Sequence, residues 1–143
     1  MRSREMELLL PQRDPFLFVD ELISADSREI TGVMTYDTAF PFYQEYVPGK
    51  KTVPPTLLIE ALVQCGGAGV NKLGITGREL WGLAALEKVR FFAAVSPGSS
   101  IKMVVQNHKL SSRLIKQSGE SFCNGRRILR ATWFCLKLNA ALR

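Results

Sequence analysis

A single long helical segment in an otherwise β-rich chain most constrains the fold. Residues Thr56–Leu73 form the only long stretch with helical periodicity. Pro54 and Pro55 precede it, and proline suits a helix start because the first backbone N–H groups need no intrahelical acceptor. An apolar stripe with i, i+3, i+4, i+7 spacing predicts that one helix face is buried. The stripe consists of Leu58, Ala61, Leu62 and Cys65.

The rest of the chain is predicted to consist of strands and turns. Two strands precede the helix, at Phe16–Ser24 and Glu29–Tyr36, and the turn-rich residues 37–55 separate them from it. Asn124-Gly125 is a strong hairpin signal because both residues tolerate positive φ. The pattern predicts an α+β protein in which strands pack on one helix. The later strands are predicted at Leu80–Ala85, Lys88–Ala94, Ser100–Leu110, Leu114–Cys123 and Arg127–Leu138.

The helical segment carries one carboxylate, Glu60, which is the only acidic residue between Glu45 and Glu79. A carboxylate among apolar neighbours is costly unless it has a purpose, so Glu60 is the best candidate for chemistry. Burial would raise its pKa, as a proton-donating role requires. Gln64 lies one helical turn further on and either orients this carboxylate or makes an ordinary polar contact. The alternative for Glu60 is a partly exposed side chain at the helix edge.

Three glycines, Gly66, Gly67 and Gly69, weaken the same helix by about 1 kcal/mol each relative to alanine. Their presence predicts close packing against a sheet. A phosphate-binding loop is disfavoured because the glycines follow the helical pattern and no Gly-Lys-Ser/Thr sequence is present.

The three cysteines, Cys65, Cys123 and Cys135, show no spacing typical of a disulfide framework or a zinc site. We expect packed, inert thiols. The length of 143 residues and the 46% hydrophobic content suit one domain over residues 1–143. No apolar run is long enough to span a bilayer, and Leu8-Leu9-Leu10 is too short for a signal-peptide core, which favours a cytoplasmic protein.

The chain is basic, with a net charge of +6 and a local cluster at Arg126, Arg127 and Arg130. Such charge can serve nucleic acid, a membrane surface or an acidic protein, or can simply be solvated. Nucleic acid is disfavoured because neither an aromatic-basic ribonucleoprotein motif nor zinc-finger spacing is present.

The segment Glu45–Gln64 resembles FabZ-type 3-hydroxyacyl-acyl-carrier-protein dehydratases, whose pattern is roughly G-H-F-P-G-x-P-x-x-P-G-V-x-x-x-E-A-x-x-Q. Residues Leu10–Asp20 are similar to the family's opening L-P-H-R-x-P-F-L-x-V-D. Lys88-Val89-Arg90-Phe91, followed by Pro97-Gly98, is similar to its later R-F and P-G segment. The resemblance covers nearly the whole chain and implies a hot-dog fold, an antiparallel sheet wrapped around one long central helix.

The resemblance implies chemistry on acyl thioesters in fatty-acid or polyketide-type biosynthesis. Dehydration removes an α-proton and expels the β-hydroxyl, which needs a base, an acid and donors for the thioester oxygen. In the family, a His and a Glu or Asp from opposite subunits move the protons, and Glu60 matches that carboxylate. No metal or nucleotide cofactor is implied. Substrate contacts are expected from Val47, Pro54, Pro55, Thr56 and Phe91.

This sequence departs from the family pattern at three neighbouring positions. Tyr46 occupies the family's His position, and a tyrosine with a pKa near 10 is no base at pH 7, although it can donate a hydrogen bond. Pro55 stands where the family has a glycine whose N–H helps to bind the oxyanion, and Glu45 replaces another glycine. Gln12, where the family often has His, cannot titrate. The only histidine, His108, is expected at a strand end or on the surface.

Four interpretations follow from the departures. The chain is a degenerate subunit that pairs with a complete FabZ-type subunit and lends it Glu60, or a hot-dog thioesterase in which Glu60 activates water or attacks the thioester. It is otherwise a non-catalytic module that binds acyl chains or carrier protein, or an unusual dehydratase. The expected ligand is an acyl carrier protein or coenzyme A thioester, and the expected assembly is a homodimer or heterodimer, possibly assembled further. Little or no dehydratase activity is expected of the isolated protein.

Overall fold

The computed structural model describes residues 4–76 and 79–138 and contains two helices and eight strands in that part of the chain. The elements in chain order are α1 Arg4–Leu9, β1 Glu21–Ala25, β2 Glu29–Thr35, β3 Gln44–Val47, β4 Lys50–Thr52, α2 Pro55–Lys72, β5 Trp81–Phe91, β6 Ser100–Leu110, β7 Leu114–Cys123 and β8 Arg126–Lys137. None of the described helices is long and apolar enough to cross a membrane.

Six strands form one antiparallel sheet in the order β1-β2-β6-β7-β8-β5. The strands β3 and β4 form a separate hairpin. The helix α2 packs on the inner face of the sheet, and its predicted stripe of Leu58, Ala61, Leu62 and Cys65 is buried. The α+β arrangement of one central helix against an antiparallel sheet is therefore confirmed.

The glycines of α2 allow this close packing on one side of the helix. A Cβ atom at Gly66 would overlap the Gln117 side chain on β7, and one at Gly69 would overlap Ile30 on β2. The predicted contact with a sheet is confirmed at these two positions. At Gly67 the nearest atom to such a Cβ would be Leu10 Cδ2 at 3.7 Å, so the third glycine has ordinary room.

Most of the predicted strands are confirmed within one or two residues, and the turn at Asn124-Gly125 has the expected positive φ angles of 51° and 79°. Two strand predictions were wrong. The strand β1 begins only at Glu21, so residues 16–20 lie outside it. The strand β5 is continuous where two strands were expected. A bulge at Lys88, whose φ is +54°, breaks the alternation of side chains from which strands are predicted.

Two short elements were not predicted. The helix α1 spans six residues, and the hairpin β3–β4 turns at Pro48-Gly49 inside the segment expected to be irregular. Gly49 has a φ of +78° in this turn, which is the left-handed backbone conformation that glycine adopts without steric cost.

Candidate active site

The carboxylate of Glu60 lies on the second turn of α2, on the wall of a cavity of about 610 Å³. The cavity runs along α2 between α1 and the start of β5, with β7 and β8 at its base. Glu60 is half-buried, between the buried carboxylate and the exposed edge residue that the sequence left open. The cavity is lined in part by Leu9, Gln12, Val63, Gly67, Trp81, Leu83, Ile115 and Cys135.

The side chain of Gln64 fixes the position of Glu60. Its Nε2 donates to Glu60 Oε1 at 3.0 Å and to the Phe16 carbonyl at 2.9 Å, and its Oε1 accepts from the Phe18 N–H at 2.8 Å. Gln64 is only 3% exposed. Both amide hydrogens have acceptors, so the amide cannot rotate without losing a buried hydrogen bond. The contact that the spacing of Glu60 and Gln64 predicted is therefore present.

The same amide explains the irregular backbone before β1. The Phe16 carbonyl and the Phe18 N–H bond to Gln64, so these two backbone groups need no neighbouring strand. The segment of the chain that carries Gln12 and Phe16 is thereby held against α2. Gln12 lines the same cavity as Glu60.

Cys135 on β8 lines the cavity and was not expected to take part in the site. Burial first, and then the Glu60 carboxylate, raise the pKa of the Cys135 thiol to about 11. The thiol is therefore neutral near pH 7, which agrees with the expected inert cysteine. Burial likewise raises the pKa of Cys65 to about 12. No motif in the sequence pointed to the proximity of Cys135 and Glu60, because it depends on how β8 packs beside α2.

The predicted partner of Glu60, Tyr46, belongs to a different surface. Tyr46 lies on β3, is 69% exposed, and donates its hydroxyl hydrogen bond to Gln44 Oε1 on the same strand. Val47 is exposed beside it, and Glu45 faces Lys51 across the hairpin. Among the described residues that line the Glu60 cavity, none comes from β3 or β4. The structure therefore does not bring Tyr46 and Glu60 into one cavity within the chain.

The start of α2 holds the other predicted contact residues. Pro54 is buried, whereas Pro55 and Thr56 are exposed. The N–H groups of Leu57 and Leu58 both donate to the Pro54 carbonyl, at 3.0 and 3.3 Å. Because proline has no N–H, Thr56 supplies the first amide of α2, and no carbonyl of the described chain accepts it. The Thr56 N–H is thus a backbone donor at the start of α2 that no carbonyl of the described residues accepts.

Phe91 and His108 lie away from the Glu60 cavity. Phe91 is at the C-terminal end of β5 and is 43% exposed. His108 is exposed on β6, as predicted, and its Nε2 lies 2.6 Å from Ser118 Oγ. The chain's only histidine therefore lies outside the site. No group of three or more His, Cys, Asp or Glu side chains in residues 4–76 and 79–138 could hold a metal ion.

The free edge of β5 is the longest unpaired strand edge near the site. Within the described residues β5 pairs only with β8, and nine of its eleven residues are exposed, on both faces of the strand. The exposed side chains include Leu83, Leu86, Val89 and Phe91. A long apolar edge of this kind is a ready surface for pairing with another strand.

An antiparallel sheet around one long central helix defines a hot-dog protein. The sequence matches the FabA-like domain family over residues 10–132, so the chain belongs to that family. Within it, the chain belongs with the FabZ-type dehydratases. The FabZ 3-hydroxyacyl-[acyl-carrier-protein] dehydratase of Salmonella arizonae is 31% identical over 146 residues, which cover 99% of this chain and 95% of that protein. The FabZ of Syntrophobacter fumaroxidans is 35% identical over 115 residues, covering 79% and 78%.

Solved structures confirm the hot-dog fold. A chain of the dehydratase heterocomplex ApeI:P from Xenorhabdus doucetiae superimposes with a TM-score of 0.83 at 18% identity, covering 98% of this chain and 95% of that one. The HP0420 homologue from Helicobacter felis gives a TM-score of 0.69 at 16% identity, covering 96% and 90%. A hypothetical thioesterase with coenzyme A from Streptococcus pneumoniae gives 0.66 at 11% identity, covering 83% and 85%.

Proposed function

We propose that this protein is a partner-dependent subunit of a 3-hydroxyacyl thioester dehydratase. One observation carries the proposal: the chain places a positioned carboxylate in a cavity but has no histidine near it. Its single histidine, His108, bonds to Ser118 on β7. A base that titrates near neutral pH must then come from another chain.

In the proposed reaction, Glu60 acts as the acid that protonates the departing β-hydroxyl, and Gln64 positions it. A histidine of the partner subunit removes the α-proton. The thioester oxygen accepts a hydrogen bond from the Thr56 N–H, and Pro54 and Pro55 contact the substrate. Val47 and Phe91, which lie outside the Glu60 cavity, contact the substrate at the second site of the pair. Tyr46 belongs to the second site of the pair, where its hydroxyl can donate a hydrogen bond but cannot act as the base.

The partner is proposed to be a complete FabZ-type subunit that pairs along the β5 edge. The exposed apolar residues of β5 support this arrangement, because an antiparallel neighbour would satisfy its free backbone groups and cover those side chains. A heterocomplex is also named for the superimposable dehydratase from Xenorhabdus doucetiae. The proposed substrate is a 3-hydroxyacyl group on an acyl carrier protein or coenzyme A. We further propose one hot-dog domain over residues 1–143 and a cytoplasmic location.

The test is a dehydration assay on a 3-hydroxyacyl carrier-protein substrate, with the protein alone and mixed with a FabZ-type subunit from the same organism. We expect little turnover alone and an altered rate in the mixture. Glu60→Gln keeps the side-chain shape and the Gln64 contact but removes the acid. It should reduce the dehydration rate that is gained on mixing by about 10²–10⁴. Normal turnover by the isolated protein would overturn the proposal. Release of free thiol from the thioester would instead indicate a thioesterase.

A further inference from the structure

A second concave surface lies on the opposite face of the sheet from α2. On β7, a Cβ at Gly119 would meet Leu62 of α2 and Trp133, so Gly119 faces the helix. Its neighbours Ser118 and Glu120 therefore point away from the helix, because strand side chains alternate. They contribute to a groove of about 580 Å³ across β5, β7 and β8. Its polar lining includes Lys88, Arg90, Arg127, Arg130, Ser118 and Thr132.

Two arginines meet directly in this groove. Arg90 on β5 and Arg130 on β8 are cross-strand partners in the antiparallel pairing. Like charges placed directly opposite on neighbouring strands destabilise a sheet. No carboxylate of residues 4–76 and 79–138 lies within 4.0 Å of either guanidinium. The charges of this pair are therefore uncompensated within the described chain.

The one carboxylate in the groove is already engaged. Glu120 is the cross-strand partner of Arg130 on β7, but its Oε2 accepts from Arg127 Nη1 at 2.9 Å. Arg127 also stacks on Phe92, with its Cζ 4.3 Å from the ring centroid. Glu120 and Arg127 thus balance each other, which leaves the charges of Arg90, Arg130 and Lys88 in excess.

Lys88 adds its charge through an unusual backbone conformation. It lies in the β5 bulge between Glu87 and Arg90 with a φ of +54°. A non-glycine residue in this region costs on the order of 1–3 kcal/mol, and such residues cluster at functional sites. Bulges also redirect side chains relative to the regular strand. The bulge therefore gathers a third cation beside the two arginines.

We propose that this groove binds a phosphate ester, independently of the Glu60 site. Guanidinium groups recognise phosphate oxygens through two parallel hydrogen bonds, and a lysine adds a point charge. The hydroxyl of Thr132 lies beside the cations and supplies a neutral donor, whereas its cross-strand partner Ser118 is already hydrogen-bonded to His108. The volume exceeds that of free phosphate and lies in the range of small-molecule sites, about 300–1,000 Å³. The ligand class is accordingly a phosphorylated small molecule of nucleotide size.

Calorimetric titration of the purified protein with adenosine 3′,5′-bisphosphate, adenosine and inorganic phosphate tests this inference. We expect saturable binding of the bisphosphate, weaker binding of inorganic phosphate and none of adenosine. Arg90→Gln/Arg130→Gln should lower the bisphosphate affinity by about tenfold or more. Lys102→Gln/Lys109→Gln removes the same charge from exposed positions on β6 outside this groove and should change it less than about twofold. Absent binding, or equal losses in both variants, would overturn the proposal; equal binding of inorganic phosphate would identify a free-phosphate site instead.

A thermal measurement gives a second readout that needs no turnover. Arg90→Glu places a carboxylate opposite Arg130, and within the described residues β5 pairs only with β8, so the variant should raise the melting temperature without ligand. The same variant should lose the upward shift that the bisphosphate produces in the wild-type protein. An Arg90→Glu protein that still responds to the ligand would refute the site. Neither experiment measures dehydration, so a failure here is distinguishable from a failure of the proposed function.

Discussion

The two regions that carry the predicted catalytic residues Glu60 and Tyr46 are held very differently. Glu60 is anchored by Gln64, which itself bonds to two backbone groups of the segment before β1. Tyr46 lies on a two-stranded hairpin, is 69% exposed, and bonds only locally, to Gln44. A carboxylate that is already held in place needs little rearrangement before it reacts. An exposed side chain on a hairpin becomes fixed only when another surface packs against it. This difference supports the proposal that the chain builds one half of a site and that a partner completes the other half.

The largest expected effect concerns Tyr46 on the β3–β4 hairpin and Pro55 at the start of α2. Tyr46→His alone should give the isolated protein little dehydratase activity, because Pro55 still lacks a backbone donor. Adding Pro55→Gly supplies an N–H and should raise the rate by about 10²–10³ over the single variant. Initial rates on a 3-hydroxyacyl thioester check this, with Glu45→His/Pro55→Gly as the control that moves the histidine by one position. A large gain from Tyr46→His alone would mean that Pro55 matters less than proposed.

The next effect concerns the thiol beside Glu60. A rise in the pKa of Cys135 from 9.0 to about 11 leaves about a hundredfold less thiolate near neutral pH. Alkylation by iodoacetamide, followed by mass spectrometry, should therefore accelerate about tenfold per pH unit until the pH reaches the pKa. Glu60→Gln removes the negative charge and should speed the reaction, whereas Cys135→Ser should abolish it. A rate that levels off well below pH 11 would show that Cys135 is less buried than described, and an unchanged rate in Glu60→Gln would show that it does not lie beside Glu60.

A smaller effect is expected from the side-chain amide of Gln64, which holds Glu60 in position. Gln64→Leu keeps similar bulk but leaves the Phe18 N–H and the Phe16 carbonyl without their partner, which should cost about 1–3 kcal/mol in the free energy of unfolding. Urea denaturation measures this loss. The matched control is Gln106→Leu, whose exposed amide bonds to Glu29 and should contribute less than about 0.5 kcal/mol. Equal losses would show that Gln64 is not a special anchor.

The last pair of variants compares the two faces of α2. Gly69→Ala should destabilise the protein by about 1–3 kcal/mol, because the new Cβ overlaps Ile30 in the core. Gly67 lines the Glu60 cavity, where a Cβ atom has room. Gly67→Ala should therefore stabilise the protein by about 0.5–1 kcal/mol, because alanine has the higher helix propensity. Thermal unfolding of the two variants checks the contrast. A loss of stability in Gly67→Ala would mean that the cavity beside Glu60 is tighter than described.

Regular periodicity explains which parts of the fold could be predicted from the sequence. The long strands β6, β7 and β8 and the helix α2 have their apolar residues at spacings that specify their type, and their bounds agree within about one residue. The β5 strand was divided in two because the bulge at Lys88 shifts its alternation. Residues 16–18 were assigned to a strand because they are apolar, but Gln64 takes their backbone hydrogen bonds.

The candidate site was predictable only where its residues are close in sequence. The i, i+4 spacing of Glu60 and Gln64 was enough to predict their contact. The position of Cys135 beside Glu60 and the meeting of Arg90 with Arg130 depend on strand order and register, which local patterns do not specify. The separation of Tyr46 from the Glu60 cavity likewise needed the structure, because thirteen residues, which include the hairpin turn and the start of α2, lie between Tyr46 and Glu60.

The central claim is that Glu60 completes a site around a histidine of another chain. The most direct measurement uses a FabZ-type partner whose own catalytic carboxylate has been replaced by glutamine, so that it retains only the histidine. We predict that this partner is inactive alone, becomes active in dehydration when mixed with the wild-type protein, and stays inactive when mixed with Glu60→Gln. Failure of a confirmed wild-type complex to dehydrate the substrate, or equal activity with Glu60→Gln, would contradict the account.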